Sequence, residues 1–244
     1  MIETREAFCE YLLGVMDRKD HWAWKWFSGG TISVPQLKIH FQQEFAVYVR
    51  DFPVFLARVH GKNPPISVRR ALAENLYEEE TGGLTRGRSH PDLFLYLMEG
   101  LGFSAADFDS IALLPDSANY RRWLDHITTT GSWIEGAAVA TIFVEGSVHE
   151  RAILNGTARE EPDVEQKIAN HPLVKHHGVS PRHLDLIRAH GAVEGLHRQD
   201  AWKMVLDHAS HAEARQRVAH ALDRSLELWS AYRDGVAQAC GLSR

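Results

Sequence analysis

Cysteine is nearly missing from this chain of 244 residues: only Cys9 and Cys240 occur, close to opposite ends. Two such thiols make neither a disulfide framework nor a Cys-x-x-Cys metal motif, which argues against a small disulfide-stapled fold. Long apolar runs are lacking too. No stretch approaches the ~20 residues that a bilayer-spanning helix needs, so no membrane partner is expected. Basic blocks are absent, and 27 Lys and Arg against 32 Asp and Glu leave a charge of −5, so no nucleic-acid partner is expected. The first residues, Met1-Ile-Glu-Thr-Arg-Glu6, carry acid where a secretory leader carries base, which points to a cytoplasmic setting. Repeats, Gly/Pro-rich linkers and strand-period alternation are also missing. Residues 1–244 therefore read as a single all-α domain, a helical bundle.

The helical signal runs almost throughout. Phe8, Leu12, Leu13 and Met16 form one apolar stripe. After the aromatic run Trp22 to Phe27 and the Gly29-Gly30 break, Ser33 or Val34 opens a second helix with Pro35 in its first turn. Pro53 should bend or end it. Further helices are expected over Ser67 to Glu80, stopped by Gly82-Gly83, and from Pro91 to Gly100. Others are read over Asp116 to Thr130, Ser132 to Leu154 and Asp163 to His176. Ser180-Pro181 should open the helix carrying His190, and the last helix spans Glu213 to Gln238.

Histidine is abundant, with 15 in the chain, and three places combine it or glutamate with apolar helical context. The first is His190-Gly-Ala-Val-Glu194-Gly-Leu-His197, whose polar members fall within ~60° of one another on a helix. The second is Glu78-Glu79-Glu80, followed by a glycine-rich loop and His90-Pro91. Glu80 ends a helix and His90 precedes the next, so the two can converge; Glu79 and Glu78 are its neighbouring alternatives. The third is Glu145, after the small, apolar stretch Gly136 to Val144. A carboxylate buried there needs a cation or another strong partner.

Together Glu80, His90, Glu145, His190, Glu194 and His197 make three carboxylates and three imidazoles. This mixed N/O set suits iron or manganese better than structural zinc, and two ions sharing carboxylates accommodate six donors more naturally than one. Two divalent ions and three carboxylates leave one positive charge, for which Glu44 on the second helix, or an anionic substrate, is the candidate partner.

In this order the residues resemble the heme-oxygenase-like diiron oxidases and oxygenases, within the superfamily of thiaminase II and pyrroloquinoline-quinone synthase. That family carries a glutamate, a histidine several residues on, a central glutamate and a late His-x-x-x-Asp-x-x-His. Glu80 and His90, then Glu145, then His190, Glu194 and His197 match it, and Glu194 stands where the family has Asp. Trp133-Ile-Glu-Gly136 and Lys175-His-His-Gly-Val179 extend the likeness over nearly the whole chain. The resemblance implies a heme-oxygenase-like helical bundle binding two Fe(II) per chain, with O2 as co-substrate. It also implies N-oxygenation or oxidative C–C cleavage of a small amine or amino-acid-like molecule in specialised metabolism. Glu44 is assigned a catalytic, charge-balancing role, and a homodimer is the expected assembly.

Three other readings are weaker. Thiaminase-type chemistry needs a cysteine in the central helices, and neither Cys9 nor Cys240 is there. A metal-independent quinone-synthase-like oxidase leaves the ligand set unexplained. A non-catalytic binding protein on the same scaffold predicts no iron. The Trp22 to Phe27 aromatics are read as packing residues, and Phe41, Phe45, Tyr48, Trp133 and Phe143 as core or pocket wall. His149, four residues after Glu145, is a candidate supporting partner, and Arg121, Arg122, Arg198 and Lys203 are candidate substrate-carboxylate binders.

Overall fold

The computed structural model describes residues 2–157 and 163–244, with only the backbone described at 193–197. Among the described residues there are helices and no strands. In chain order they are α1 (Arg5–Asp17), α2 (Trp24–Phe27), α3 (Val34–Glu44), α4 (Phe52–His60), α5 (Ile66–Thr81) and α6 (His90–Gly100). There follow α7 (Pro115–Thr130), α8 (Trp133–Ala137), α9 (Glu150–Leu154), α10 (Val164–Asn170), α11 (Pro172–His177), α12 (Asp185–His208) and α13 (Ala212–Ala239). None of these is long and apolar enough to cross a membrane.

Local chemistry sets most boundaries. Ser33 and Gln36 form a reciprocal capping box with Pro35 in the first turn of α3, and Ser132 and Glu135 do the same for α8. Ser89 caps α6 by accepting from Asp92 N. Gly82 ends α5 in the left-handed region at φ 59°, where a Cβ would lie 2.1 Å from the Arg88 carbonyl oxygen. Only glycine fits that turn.

Three expected boundaries differ. Pro53 opens α4 rather than bending α3, because its missing N–H costs nothing in a first turn. The segment expected as one helix over Ser132 to Leu154 breaks after Val144 and resumes at Glu150. The segment over Asp163 to His176 divides at His171, since Pro172 disfavours helical backbone in the residue before it.

Two helices carry wide, π-type turns: α3 continues as one over Phe45–Val49, and α8 over Ala138–Val144. Such turns re-aim the side chains that follow and recur at functional sites. Here they lie beside Glu44 and Glu145. The core between the helices includes Phe8, Leu12, Phe55, Leu56, Val139, Phe143, Leu222 and Val236, all fully or almost fully buried. Tyr120 of α7 and Tyr232 of α13 stack at 5.7 Å where those two long helices meet. Buried Glu150 ties α9 to α12 by accepting from Trp202 Nε1 at 2.9 Å.

Candidate metal centre and the adjoining cavity

α5, α6, the end of the α8 π-turn and α12 meet around a cavity of about 200 Å³ whose walls include Glu79, His90, Glu145 and His190. Tyr48, Val49, Phe52, Val144 and Leu186 supply its apolar side. Of the three consecutive glutamates, the helix turns Glu78 and Glu79 inward and leaves Glu80 exposed. The sequence assignment of Glu80 to the site is therefore corrected: at 100° per residue only part of the triplet can face the bundle, and Glu79 is the one at the cavity.

Glu78 is fully buried and already occupied. It accepts from Leu84 N at 2.7 Å and from the Thr85 hydroxyl, closing the loop after α5, and lies 3.4 Å from His90 Nε2. Burial raises the Glu78 pKa, but these donors outweigh it and hold the carboxyl below its usual value. His90 is thus gripped on Nε2. Its Nδ1 sits 2.8 Å from Glu79 Oε1, an ion-pair contact that is close but off the ideal hydrogen-bonding direction. Burial alone would lower the His90 pKa; Glu79 and Glu78 more than offset it and raise it.

Glu145 is half-buried, and Asn75 Nδ2 donates to its Oε1 at 2.9 Å. The His190 ring lies 5.0 Å from that of His90. Glu194 and His197 follow on α12, and their side chains lie outside the described residues. Among the described residues, no group of three or more His, Cys, Asp or Glu is drawn together tightly enough to hold an ion. The donor chemistry nonetheless fits iron. An imidazole fixed by a neighbouring carboxylate, as Glu78 fixes His90 on Nε2, with a second carboxylate beside its other nitrogen, is how a protein orients a histidine ligand.

Glu44 stands elsewhere. It receives Arg233 Nη2 at 2.9 Å and the Tyr48 hydroxyl, with His40 Nε2 3.3 Å away, and it is not part of the metal cavity's wall. Burial pushes its pKa up, yet Arg233, His40 and Tyr48 together hold the carboxyl well below the carboxylate range. The structure thus makes Glu44, the expected catalytic and charge-balancing residue, the counter-ion of Arg233.

A second cavity, about 260 Å³, adjoins the first, and Tyr48 and Val144 line both. Arg233, Lys19, Trp24, Tyr120 and Trp229 contribute to it. Lys19 Nζ donates to the carbonyls of Phe143 and Gly146 on either side of Glu145, and burial pulls its pKa down to about 7. Trp24 is thus pocket wall as well as packing. His149 is exposed at the rim; the break after Val144 removes the helical register that would have paired it with Glu145. Arg121 is tied to Asp51 and Asp125. Arg233, Lys19 and Asn75 carried no sequence signal beyond residue type. Neither cysteine lines either cavity.

Solved structures share this architecture. A TenA homologue from Pseudomonas syringae pv. tomato matches over 96% of this chain and 91% of its own, with a TM-score of 0.69 at 12% identity. A heme-oxygenase-like domain from Shewanella denitrificans matches over 96% and 89%, with a TM-score of 0.63 at 16% identity. The class is therefore a heme-oxygenase-like helical bundle. Residues 39–230 match the family of iron-containing redox enzymes, and the chain belongs to that family. It is also 24% identical over 136 residues to a 4-aminobenzoate synthase of Chlamydia muridarum, spanning 50% of this chain and 56% of that relative, just over half its length.

Proposed function

We propose that the chain is a non-heme diiron, O2-dependent oxidase or oxygenase acting on a small amine or amino-acid-like substrate. The observation that carries this reading is buried His90 set between the carboxylates of Glu78 and Glu79, in a cavity that Glu145 and His190 also line. Glu79, His90, Glu145 and His190 are the described donors, and Glu194 and His197 complete the proposed set. Iron bound there supplies the redox couple for reducing O2. The protein's own work is positional. Glu78 fixes the His90 ring, Asn75 fixes one Glu145 oxygen, and Lys19 pins the backbone around Glu145. Tyr48, Val49, Phe52, Val144 and Leu186 give the donors an apolar wall. The kinship with a 4-aminobenzoate synthase is compatible with oxidative chemistry on nitrogen-bearing small molecules.

The test is anaerobic Fe(II) loading of metal-stripped protein, then exposure to O2 with a panel of amines and amino acids, followed by O2 consumption. Iron-dependent uptake stimulated by a panel member, and abolished by His90→Ala, is expected. Uptake unaffected by His90→Ala would show that the chemistry does not run through this site.

A further inference from the structure

The second cavity has polar chemistry that the protein leaves incomplete. Arg233 is only 3% exposed and lines it from α13. Its Nη2 donates to Glu44 at 2.9 Å and to the Tyr48 hydroxyl at 3.0 Å. Its Nε and Nη1 are buried and have no acceptor among the described residues. Buried N–H groups of a charged side chain are costly to leave unpaired, and Arg233 is one of the residues that wall the cavity.

The other walls select what can enter. The guanidinium lies over Trp24 at 4.7 Å and Trp229 at 5.7 Å from the ring centroids, so aromatic faces pack against the charge. The same two indoles and Tyr120 line the cavity and favour a flat apolar body. Lys19 adds positive charge, but its Nζ is engaged by backbone carbonyls and is not a spare donor. Asp20 reaches the rim, with its carboxylate accepting from His21 N. At about 260 Å³ the space suits a small ligand, near the lower end of the ~300–1,000 Å³ usual for ligand pockets.

We infer that this cavity binds a small carboxylate with an aromatic or flat apolar body, its carboxylate accepting from the free N–H groups of Arg233. Because Tyr48 and Val144 wall both cavities, such a ligand lies next to the candidate metal centre. The inference rests on the proposed function only in identifying this ligand as the substrate; the binding itself needs no iron.

The experiment uses the full chain, metal-stripped, with calorimetry and the quenching of Trp24 and Trp229 fluorescence as readouts. The probes are phenylacetate, its neutral isostere phenylacetamide, and inorganic phosphate. Phenylacetate should bind about tenfold or more tighter than either control, the advantage expected of hydrogen bonds to a charged group. A double variant, Glu44→Gln with Arg233→Gln, removes both charges and should bring phenylacetate down to the level of phenylacetamide; its circular dichroism melt checks folding. Equal wild-type affinity for phenylacetate and phenylacetamide overturns the inference without needing any variant. A folded double variant that binds phenylacetate like wild type overturns it also, and phosphate binding as tight as phenylacetate overturns the aromatic-body assignment. Iron titration of the same preparation reports separately, so failure of either idea leaves the other result readable.

Discussion

Replacing Glu44 with Gln should destabilise the fold well beyond the loss of one hydrogen bond. Arg233 is 3% exposed, and Glu44 is its carboxylate partner at 2.9 Å. Removing one member of a buried pair leaves the other charge desolvated, at a typical cost of about 3–5 kcal/mol. The Glu44 side chain keeps 17% exposure, so water can reach the pair and the lower end, about 3 kcal/mol, applies. For a domain of this size that is a fall in Tm of roughly 6–12 °C. The pH dependence has a definite sign. Because the folded Glu44 pKa is depressed, its stabilisation is fully present above the unfolded value of about 4.3 and is lost as pH falls below it toward the folded value. The gap in Tm between wild type and Glu44→Gln should therefore be full near neutrality and narrow in acid. The double variant Glu44→Gln with Arg233→Gln should recover part of the loss, because no unpaired charge remains. Thermal melts of all three proteins across pH check this. A single variant as stable as wild type at neutral pH, or a gap that widens in acid, would refute the counter-ion argument.

Other changes separate neighbouring residues. Glu79→Gln should weaken Fe(II) binding at least tenfold, while Glu80→Gln, altering an exposed side chain, should leave an Fe(II) titration unchanged. Asn75→Ala removes the donor to Glu145 and should lower iron affinity about 10–100-fold with little change in melting behaviour beyond the lost hydrogen bond. Gly146→Ala places a Cβ 2.2 Å from the Ile142 carbonyl oxygen, a backbone atom that cannot swing away. It should cost about 1–3 kcal/mol by thermal melt, and should also disturb iron binding through adjacent Glu145.

The helical architecture was legible because amphipathic stripes, serine caps and glycine stops are local signals, and most helices begin and end within a few residues of where those signals lie. Local signals failed where one glycine or proline divides a continuous apolar pattern, at Gly146 and Pro172. His90, Glu145 and His190, which line one cavity, were readable as candidates from residue type and helical spacing. The choice among Glu78, Glu79 and Glu80 was not, since it depends on which face of α5 meets α6. Glu44 was recognised as a notable carboxylate, but its partner Arg233 lies 189 positions away on the last helix. The pairing exists only after α3 and α13 pack. The second cavity was invisible for the same reason: Lys19, Trp24, Tyr120 and Arg233 share no sequence neighbourhood. The π-turns before Glu145 and after Glu44 left no distinguishable pattern either.

The most direct measurement is iron anomalous diffraction from crystals loaded anaerobically with Fe(II). The account predicts two iron peaks per chain in the cavity of Glu79, His90, Glu145 and His190, one of them against His90 Nδ1, and loss of that peak in His90→Ala. Iron found only on exposed histidines, or a loaded cavity in which His90 Nδ1 meets no metal, would contradict it.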